Sequence, residues 1–171
     1  MIINFRQISS SEAPMEFHQT LDVGHVVKGR NDIAGISPMQ VDLQAQPAGG
    51  GVIHVTGHLL AELDMSCSRC LKSLKHRVEV QFEEAFKQSD EDSGELDEGE
   101  EDLVLVSGER LDLTPYLEEA LLLELPFSVV CKEDCKGLCP SCGTDLNERQ
   151  CGCNTERIDP RLAALGDFFK K

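Results

Sequence analysis

Aromatic residues are scarce in this chain of 171 residues, which has seven Phe, one Tyr and no Trp. Surfaces that bind single-stranded nucleic acid stack bases on aromatic side chains, so such a surface is poorly supplied here. Basic residues are also few, with 16 Lys and Arg against 31 Asp and Glu and a net charge of −15. Because binding to phosphates by bulk charge needs an excess of bases, this balance excludes a protein that coats nucleic acid.

Long apolar runs are missing as well. No window approaches the roughly 18 apolar residues that a membrane-spanning helix needs, and no apolar leader precedes a run of small residues. We therefore expect a cytoplasmic protein with no membrane partner. The chain also lacks a Walker loop, a dinucleotide-binding fingerprint, a nucleophile elbow and a His-Glu-x-x-His motif. These absences favour a protein that is not an enzyme and takes no small-molecule substrate.

Most of the negative charge lies in one segment. Between Gln88 and Asp102 there are nine acids and no base, and without them 22 acids would face 16 bases, a net charge of −6. The segment contains Gly94 and Gly99 and hardly any apolar residue, so burial cannot offset its ordering entropy. We predict that residues 88–102 form a disordered loop inside the larger domain.

Alternating apolar and polar residues predict a β-rich body. Residues 21–30 and 39–46 carry short apolar runs between turn-forming residues, and residues 47–51 read as a turn. The clearest alternation covers residues 53–65, and a second one covers residues 74–83. The two alternating strands meet at residues 67–70, so this tetrapeptide is predicted to be the tip of an antiparallel hairpin.

A strand and a helix are predicted after the acidic segment. Residues 103–106 are all apolar and predict a strand that ends by Gly108. Thr114 is expected to cap a helix that starts with Pro115 and stops before Pro126. The predicted fold class is α+β, with an antiparallel sheet and one or two packed helices in a domain that spans residues 1–130.

From Cys131 the composition changes, with six cysteines in 23 residues. This predicts a small Cys-rich module over residues 131–171, which ends in a short helix that begins near Asp159 and Pro160. In a reducing compartment, clustered cysteines bind metal more often than they form disulfides. The candidate ligands are Cys131, Cys135, Cys139, Cys142, Cys151 and Cys153.

Cys139 and Cys142 are the strongest pair, because a Cys-x-x-Cys turn followed by glycine lets backbone amides approach the thiolates. Either Cys131 with Cys135 or Cys151 with Cys153 could complete a four-thiolate site. Zinc in a structural role is favoured over iron. Cys-Pro-x-Cys-Gly also occurs in rubredoxins, but their second Cys-x-x-Cys-Gly half is missing here. The alternative to a metal site is a set of free or oxidised thiols.

Cys67 and Cys70 form a further pair at the predicted hairpin tip. They either join two of the six to make a second all-cysteine site or form a plain tight turn. The densest positive group of the chain lies beside them. We take four of its members as candidate contacts to RNA or the ribosome, with a solvated strand face as the alternative: Arg69, Lys72, Lys75 and Arg77.

Four motifs follow one another along the chain. They are Met65-Ser66-Cys67-Ser68-Arg69-Cys70, then Leu111-Asp112-Leu113 leading into Glu118 and Glu124-Leu125-Pro126, then Cys135-Lys136-Gly137-Leu138-Cys139-Pro140-Ser141-Cys142-Gly143 with Asn147, and finally Asp159-Pro160-Arg161-Leu162 with Leu165. Together they resemble the YceD family, bacterial and plastid proteins described as large ribosomal RNA subunit accumulation proteins. The resemblance runs from about residue 52 to the C-terminus.

The resemblance implies an accessory factor in ribosome biogenesis that supports synthesis, processing or stability of 23S rRNA, with no enzymatic activity. Its partner would be a ribosomal protein, an rRNA-processing factor or a local rRNA feature, and zinc would stabilise the Cys-rich module. One alternative is a zinc-binding or redox-responsive protein-interaction module, a thiol switch without a ribosomal role. Another is an RNA hydrolase, but the obvious carboxylates lie in the acidic loop, where preorganisation is absent.

Overall fold

The computed structural model describes residues 1–89 and 103–154. The chain forms two compact units. The first consists of Met1–Met65 and Leu74–Phe127, and the second consists of Ser66–Ser73 together with the chain from Ser128 onward. The second unit is therefore assembled from two separate stretches of sequence, whereas the sequence predicts a module that begins at residue 131.

The described residues contain eight strands and two helices. In chain order they are β1 (Ile2–Asn4), α1 (Phe5–Ser9), β2 (Met15–Leu21), β3 (Ile33–Ile36), β4 (Met39–Gly49), β5 (Val52–Ser66), β6 (Ser73–Ser89), β7 (Leu103–Ser107), β8 (Arg110–Asp112) and α2 (Thr114–Glu124).

A six-stranded sheet dominates the first unit. Its strand order is β2-β4-β5-β6-β7, and β3 also pairs with β5. The pairs β2–β4, β4–β5 and β3–β5 are antiparallel. A separate two-stranded sheet pairs β1 with β8. The prediction of an α+β fold is confirmed, with a sheet that is mostly antiparallel.

The period-two pattern of β5 separates a buried face from a solvated one. All six apolar residues on the predicted inner face are buried, namely Ile53, Val55, Leu59, Ala61, Leu63 and Met65. On β6, Val78, Val80 and Phe82 are buried in the same way. Helix α2 buries Leu117 and Leu121, and the ring of Tyr116 meets that of Phe86 edge to face at 5.1 Å. The alternation that predicts each strand thus also builds the core.

The sheet differs from the prediction at β7, which runs parallel to β6 with Ala85 opposite Leu103. A hairpin would have made this pair antiparallel. A connection of a dozen or more residues is long enough for the chain to run back along β6, so that β7 starts opposite Ala85 and runs in the same direction as β6. Residues 90–102, most of the predicted disordered loop, lie outside the described residues. Gln88 and Ser89, which the sequence assigns to that loop, end β6 and pair with Val106 and Ser107.

The predicted strand over residues 21–30 is wrong. Strand β2 ends at Leu21, and residues 24–29 form consecutive turns. The Val26 N–H donates to the carbonyl of buried Val23 at 3.0 Å, and Val27 is also buried. The valines are apolar because they anchor a segment of turns in the core, and this spacing of apolar residues resembles that of a strand.

Two smaller features also depart from the prediction. Helix α2 begins at Thr114 itself, and the carboxylate of Asp112 accepts hydrogen bonds from the Thr114 N–H and hydroxyl at 3.0 and 2.7 Å. The N-cap position is held by Leu113, which has no capping side chain, so Asp112 satisfies the first N–H of the helix in place of the cap that the sequence assigns to Thr114. The turn after β4 is also shorter than predicted, since Pro47 still pairs with Ile53. The predicted helix near Asp159 lies outside the described residues.

No helix among the described residues is long and apolar enough to cross a membrane.

Gly57 marks the closest approach of two strands. It lies opposite Leu43 in the β4–β5 pair, and a Cβ at this position would lie 2.1 Å from the Asp42 carbonyl oxygen and 2.8 Å from the Leu43 Cα. Both neighbouring atoms belong to the backbone, so no side chain can rotate away. Only glycine allows this spacing.

We predict that Gly57→Ala lowers the free energy of unfolding by about 2–3 kcal/mol, because the two strands must separate to admit the methyl group. Gly35→Ala is the matched control, since its Cβ would be 3.7 Å from the Asp64 carboxylate, an ordinary contact. Urea unfolding of both variants measures the difference. Equal unfolding midpoints for the two variants would contradict the proposed close approach.

Candidate metal centres

Two chain segments that are far apart in sequence build the second unit. The Ser68 N–H donates to the Val129 carbonyl at 2.8 Å, and the Leu138 N–H donates to the Arg69 carbonyl at 3.0 Å. Gly137 lies at the same place, where a Cβ would be 2.8 Å from the Arg69 carbonyl oxygen, and its φ is +74°. Glycine is needed here for both reasons. These bonds hold the residue 67–70 turn against the Cys-rich segment.

The first thiol cluster consists of Cys67, Cys70, Cys131 and Cys135, whose four Sγ atoms all lie within 4.8 Å of one another. The Sγ atoms of Cys67 and Cys135 are 3.9 Å apart, and those of Cys70 and Cys131 are 3.7 Å apart. With zinc–sulfur bonds of about 2.3 Å, a tetrahedral site has sulfur atoms about 3.8 Å apart. The four thiols are therefore spaced as the ligands of a tetrahedral ion.

The second thiol cluster consists of Cys139, Cys142, Cys151 and Cys153, and its Sγ atoms also lie within 4.8 Å of one another. Residues 137–146 form a small hairpin that presents the first two ligands, with Leu138 paired to Asp145 and the Cys139 N–H donating to the Thr144 carbonyl at 2.8 Å. All eight cysteines are free of disulfides. The chain thus offers two groups of four thiols, and each group could hold a metal ion.

The two Cys-x-x-Cys turns have the same backbone geometry. In one, the Gly143 N–H donates to the Cys139 carbonyl at 2.8 Å with φ of +71° at Gly143. In the other, the Leu71 N–H donates to the Cys67 carbonyl at 2.9 Å with φ of +60° at Leu71. Leu71 is the only described residue other than glycine with a positive φ. The missing glycine after Cys70 argues against a rubredoxin-like iron site in the sequence, but Leu71 adopts the left-handed conformation in its place.

The arrangement differs from that expected for a rubredoxin-like site, in which two such turns hold one iron ion. Here each cluster takes one Cys-x-x-Cys turn and one further pair, Cys131 with Cys135 or Cys151 with Cys153. Four thiolates in tetrahedral geometry suit zinc or iron. Four protein ligands also fill the coordination sphere, which is typical of structural and not of catalytic sites.

Hydrogen bonds reach the sulfur atoms of both clusters. In the first cluster, the Asn147 side-chain amide donates to the Cys135 Sγ at 3.5 Å and the Cys131 N–H donates to the Cys67 Sγ at 3.4 Å. In the second, the Thr144 hydroxyl lies 3.2 Å from the Cys142 Sγ. Such bonds favour the thiolate form, in which a cysteine binds metal.

The thiols within each cluster have opposed pKa shifts. The backbone N–H groups of Cys70 and Cys131 lower the pKa of Cys67 to about 6, whereas desolvation and the neighbouring thiols raise the pKa of Cys131 to about 12. In the second cluster, hydrogen bonds with Thr144 lower the pKa of Cys142 to about 6, and the bond to Cys142 raises the pKa of Cys153 to about 12. Four adjacent thiols cannot all ionise unless a cation balances their charge.

The clusters differ in their access to solvent. Cys67, Cys70 and Cys135 of the first cluster are buried and Cys131 is exposed. In the second cluster only Cys139 is buried, while Cys142 is exposed and the other two are partly exposed.

Arg69 and Lys72, two of the candidate RNA contacts, have structural partners inside the second unit. The Arg69 guanidinium donates to the carbonyls of Glu133 and Cys135 at 3.2 and 2.9 Å. The Lys72 Nζ lies 2.8 Å from carboxylate oxygens of both Asp145 and Glu148. The bond with Lys72 lowers the pKa of Asp145 to about 2, and these carboxylates raise the pKa of Lys72 above its usual range.

Lys75 and Arg77, the other two candidates, lie on β6 in the first unit. The Lys75 Nζ bonds to the Glu62 carboxylate and lies 3.9 Å from that of Asp64. The Arg77 Nε lies 2.6 Å from the Glu79 carboxylate. These side chains remain about two-thirds exposed, so a partner could still reach them. Contact of any of the four with RNA stays a prediction.

Several residues of the candidate metal centres were missed by the sequence reasoning. Asn147, Asp145 and Thr144 surround the cysteines and hold their loops, but no ligand spacing points to them. Asn147 could have been found from its place in the Cys135–Asn147 motif. The partners of Lys72 could not, because 73 and 76 residues of sequence separate Lys72 from Asp145 and Glu148.

The chain is similar to proteins of one described family. A family model described as "Large ribosomal RNA subunit accumulation protein YceD" matches residues 55–169, a region that contains all eight cysteines. A chloroplastic protein of Arabidopsis thaliana, named large ribosomal RNA subunit accumulation protein YCED homolog 1, is 33% identical over 58 residues, which are 34% of this chain and 18% of that protein.

Bacterial relatives are similar over more of the chain. The uncharacterized protein YlbN of Bacillus subtilis is 31% identical over 160 residues, which cover 91% of this chain and 88% of that protein. An uncharacterized protein of Mycobacterium tuberculosis is 40% identical over 131 residues, 77% of this chain. The match spans 62% of the length of the mycobacterial protein. No solved structure matches the chain.

We predict that the full-length protein binds about two tetrahedrally coordinated Co²⁺ ions at saturation, one in each thiol cluster. The Cys67→Ser/Cys70→Ser variant should bind about one, because only the second cluster keeps four thiols. Thiolate-to-cobalt absorption under anaerobic, reducing conditions measures both. Ser68→Ala is the control within the same turn. An unchanged cobalt stoichiometry in the double variant would exclude the first cluster as a metal site.

We predict different effects on stability for two substitutions at equivalent turn positions. Gly143→Ala should lower the stability of the metal-loaded protein by about 1 kcal/mol, since alanine disfavours a positive φ. Leu71→Gly removes a similar strain, but glycine also raises the conformational entropy of the unfolded chain, which lowers stability. Together these effects should leave the stability of the metal-loaded protein equal or raise it by up to about 1 kcal/mol. Thermal unfolding in excess zinc measures both effects.

Gly152→Ala is the matched control for these two variants, because its φ is not positive and its Cβ would meet nothing within 4 Å. A lower melting temperature for Leu71→Gly than for Gly143→Ala would show that the two turns are not equivalent.

Proposed function

Because the chain belongs to the YceD family of large ribosomal RNA subunit accumulation proteins, we propose that it is a non-enzymatic accessory factor in ribosome biogenesis. It supports the synthesis, processing or stability of 23S rRNA. The family match over residues 55–169 is the observation that carries this proposal, since it includes most of β5, strands β6 to β8, helix α2 and both thiol clusters.

The metal in this proposal is zinc, and its role is structural. Each cluster supplies four thiols, so a bound zinc ion would keep no open position for substrate or water. Catalytic zinc sites instead have three protein ligands. This supports a protein that acts by binding a partner and not by chemistry.

The partner in this proposal is a ribosomal protein, an rRNA-processing factor or a local rRNA feature, met in the cytoplasm where bacterial ribosomes assemble. The net charge of −15 favours a basic protein as partner over an extended RNA surface. The ion pairs of Lys72, Lys75 and Arg77 point the same way, because each base already lies beside a carboxylate.

The alternative proposal is a thiol switch, in which oxidation or metal loss at the clusters regulates binding to a non-ribosomal partner. The exposed Cys142 is the observation that favours it, since an oxidant can reach this thiol. Depletion of the protein from its host would distinguish the two proposals, because loss of a thiol switch without a ribosomal role would leave rRNA levels unchanged.

Depletion of the protein from its host is expected to lower mature 23S rRNA relative to 16S rRNA, or to raise its precursor, because large-subunit maturation loses a factor. Quantitative RNA blots of both rRNAs give the measurement. Wild-type protein should restore the ratio. A 23S to 16S ratio that does not change on depletion would refute the ribosomal role.

Two complementing variants sharpen this experiment. The Lys75→Ala/Arg77→Ala variant removes the exposed bases of β6 without touching either thiol cluster, and Glu62→Ala/Glu79→Ala removes their carboxylate partners as the control. If these bases contact RNA, only the first variant should sediment less with ribosomal particles than the wild-type protein, and this difference should shrink as the salt concentration rises. Equal sedimentation of both variants would favour a protein partner.

A further inference from the structure

We propose that the two thiol clusters bind metal cooperatively, through a bridge formed by Asn147, Asp145 and Lys72. This inference rests on metal binding by both clusters, and it does not depend on a role in ribosome biogenesis. Two members of this bridge, Asp145 and Asn147, lie in the loop between Cys142 and Cys151, two cysteines of the second cluster.

A metal ion in the second cluster closes this loop at both ends. The loop, residues 143–150, contains Asp145, Asn147 and Glu148, and backbone bonds from Glu148 and Arg149 to the Asp145 carbonyl, at 3.2 and 3.1 Å, shape its middle. Asp145 Oδ1 also accepts hydrogen bonds from the Asn147 N–H and its side-chain amide, each at 2.8 Å. Closing the loop therefore fixes the orientation of the Asn147 side chain.

The Asn147 side chain acts on the first cluster. Its amide group donates to the Cys135 Sγ at 3.5 Å, and its carbonyl oxygen accepts the Lys136 N–H at 2.8 Å. It thus holds both the sulfur of a first-cluster ligand and the backbone that follows this ligand. Groups that hydrogen-bond to metal ligands orient them and commonly change metal affinity by about 10- to 100-fold.

A second contact joins the same loop to the other side of the first cluster. Lys72 follows Cys70 by two residues, and its ammonium group lies 2.8 Å from both Asp145 and Glu148. The side chain of Asp145 is only 14% exposed, so this ion pair is partly shielded from solvent. The loop therefore contacts the segments that carry ligands on both sides of the first cluster.

The coupling also acts in the opposite direction. A metal ion in the first cluster fixes the residue 67–70 turn, and the Arg69 carbonyl in this turn accepts the Leu138 N–H at 3.0 Å, next to the ligand Cys139. Each ion thus orders backbone that the other cluster needs. The second ion to bind pays less ordering entropy, and by linkage the effect is equal in both directions. Asn147 and Lys72 act as positioning residues and not as ligands.

Titration of the full-length apo-protein with Co²⁺, followed by native mass spectrometry, tests the proposal. Two equal and independent clusters would leave about half of the molecules with one ion at half saturation, whereas coupling on the order of tenfold would leave about a quarter. We expect the lower value for the wild-type protein. A one-ion form that reaches half of the molecules or more would overturn the proposal if the second cluster also binds Co²⁺ as tightly in the Cys67→Ser/Cys70→Ser variant as in the wild-type protein.

Asn147→Ala should raise the one-ion form toward half of the molecules, while the absorption spectrum of the fully loaded protein stays that of tetrahedral four-thiolate cobalt. A merely structural role would change the spectrum or the total number of ions bound. Gln150→Ala is the matched control, because Gln150 is an exposed residue of the same loop and makes none of these contacts. Equal populations in the two variants would overturn the role of Asn147.

The ion pair has its own test. Lys72→Ala and Asp145→Ala should each raise the one-ion form, and the double variant should raise it by less than the sum of the two single effects, because both single variants remove the Lys72–Asp145 ion pair. Lys72→Arg keeps the charge and should keep the low one-ion population. Additive effects of Lys72→Ala and Asp145→Ala would remove the ion pair from the proposed bridge.

Discussion

The second unit depends on the electrostatic constraint of four thiols held within 4.8 Å. Such thiols cannot all ionise without a cation, because neighbouring thiolates repel one another. A divalent ion bound between them would supply the missing attraction and join residues 67–70 to a segment more than 60 positions later in the chain. In small modules with little apolar core, metal binding commonly provides much of the folding free energy.

The first unit depends instead on burial of apolar surface. Its strands alternate between buried aliphatic residues and exposed polar ones, and its core continues through Phe86 and helix α2. The connection between its two longest strands, β5 and β6, belongs to the second unit. One chain therefore combines two sources of stability, and the family match covers both.

Much of the first unit could be predicted from the sequence, because alternation along β4, β5 and β6 follows directly from having one buried face. The errors have physical causes. Val23 and Val27 are buried in a segment of turns, so their apolar character imitates a strand. The direction of β7 depends on the path of a long connection, about which local pattern carries no information. Strands β1 and β8 are three residues each, too short for any periodicity to register.

For the candidate site, the sequence by itself determined which residues are available: eight cysteines, two Cys-x-x-Cys turns and the motifs of the family. Ligand spacing left open which thiols share an ion, since several groupings close loops of similar entropic cost. The tertiary structure decided that grouping, with one Cys-x-x-Cys turn in each cluster. It also decided the conformation of Leu71 and the contacts of Asn147 and Lys72, because a positive φ at leucine and contacts between distant segments arise only when the surrounding fold stabilises them.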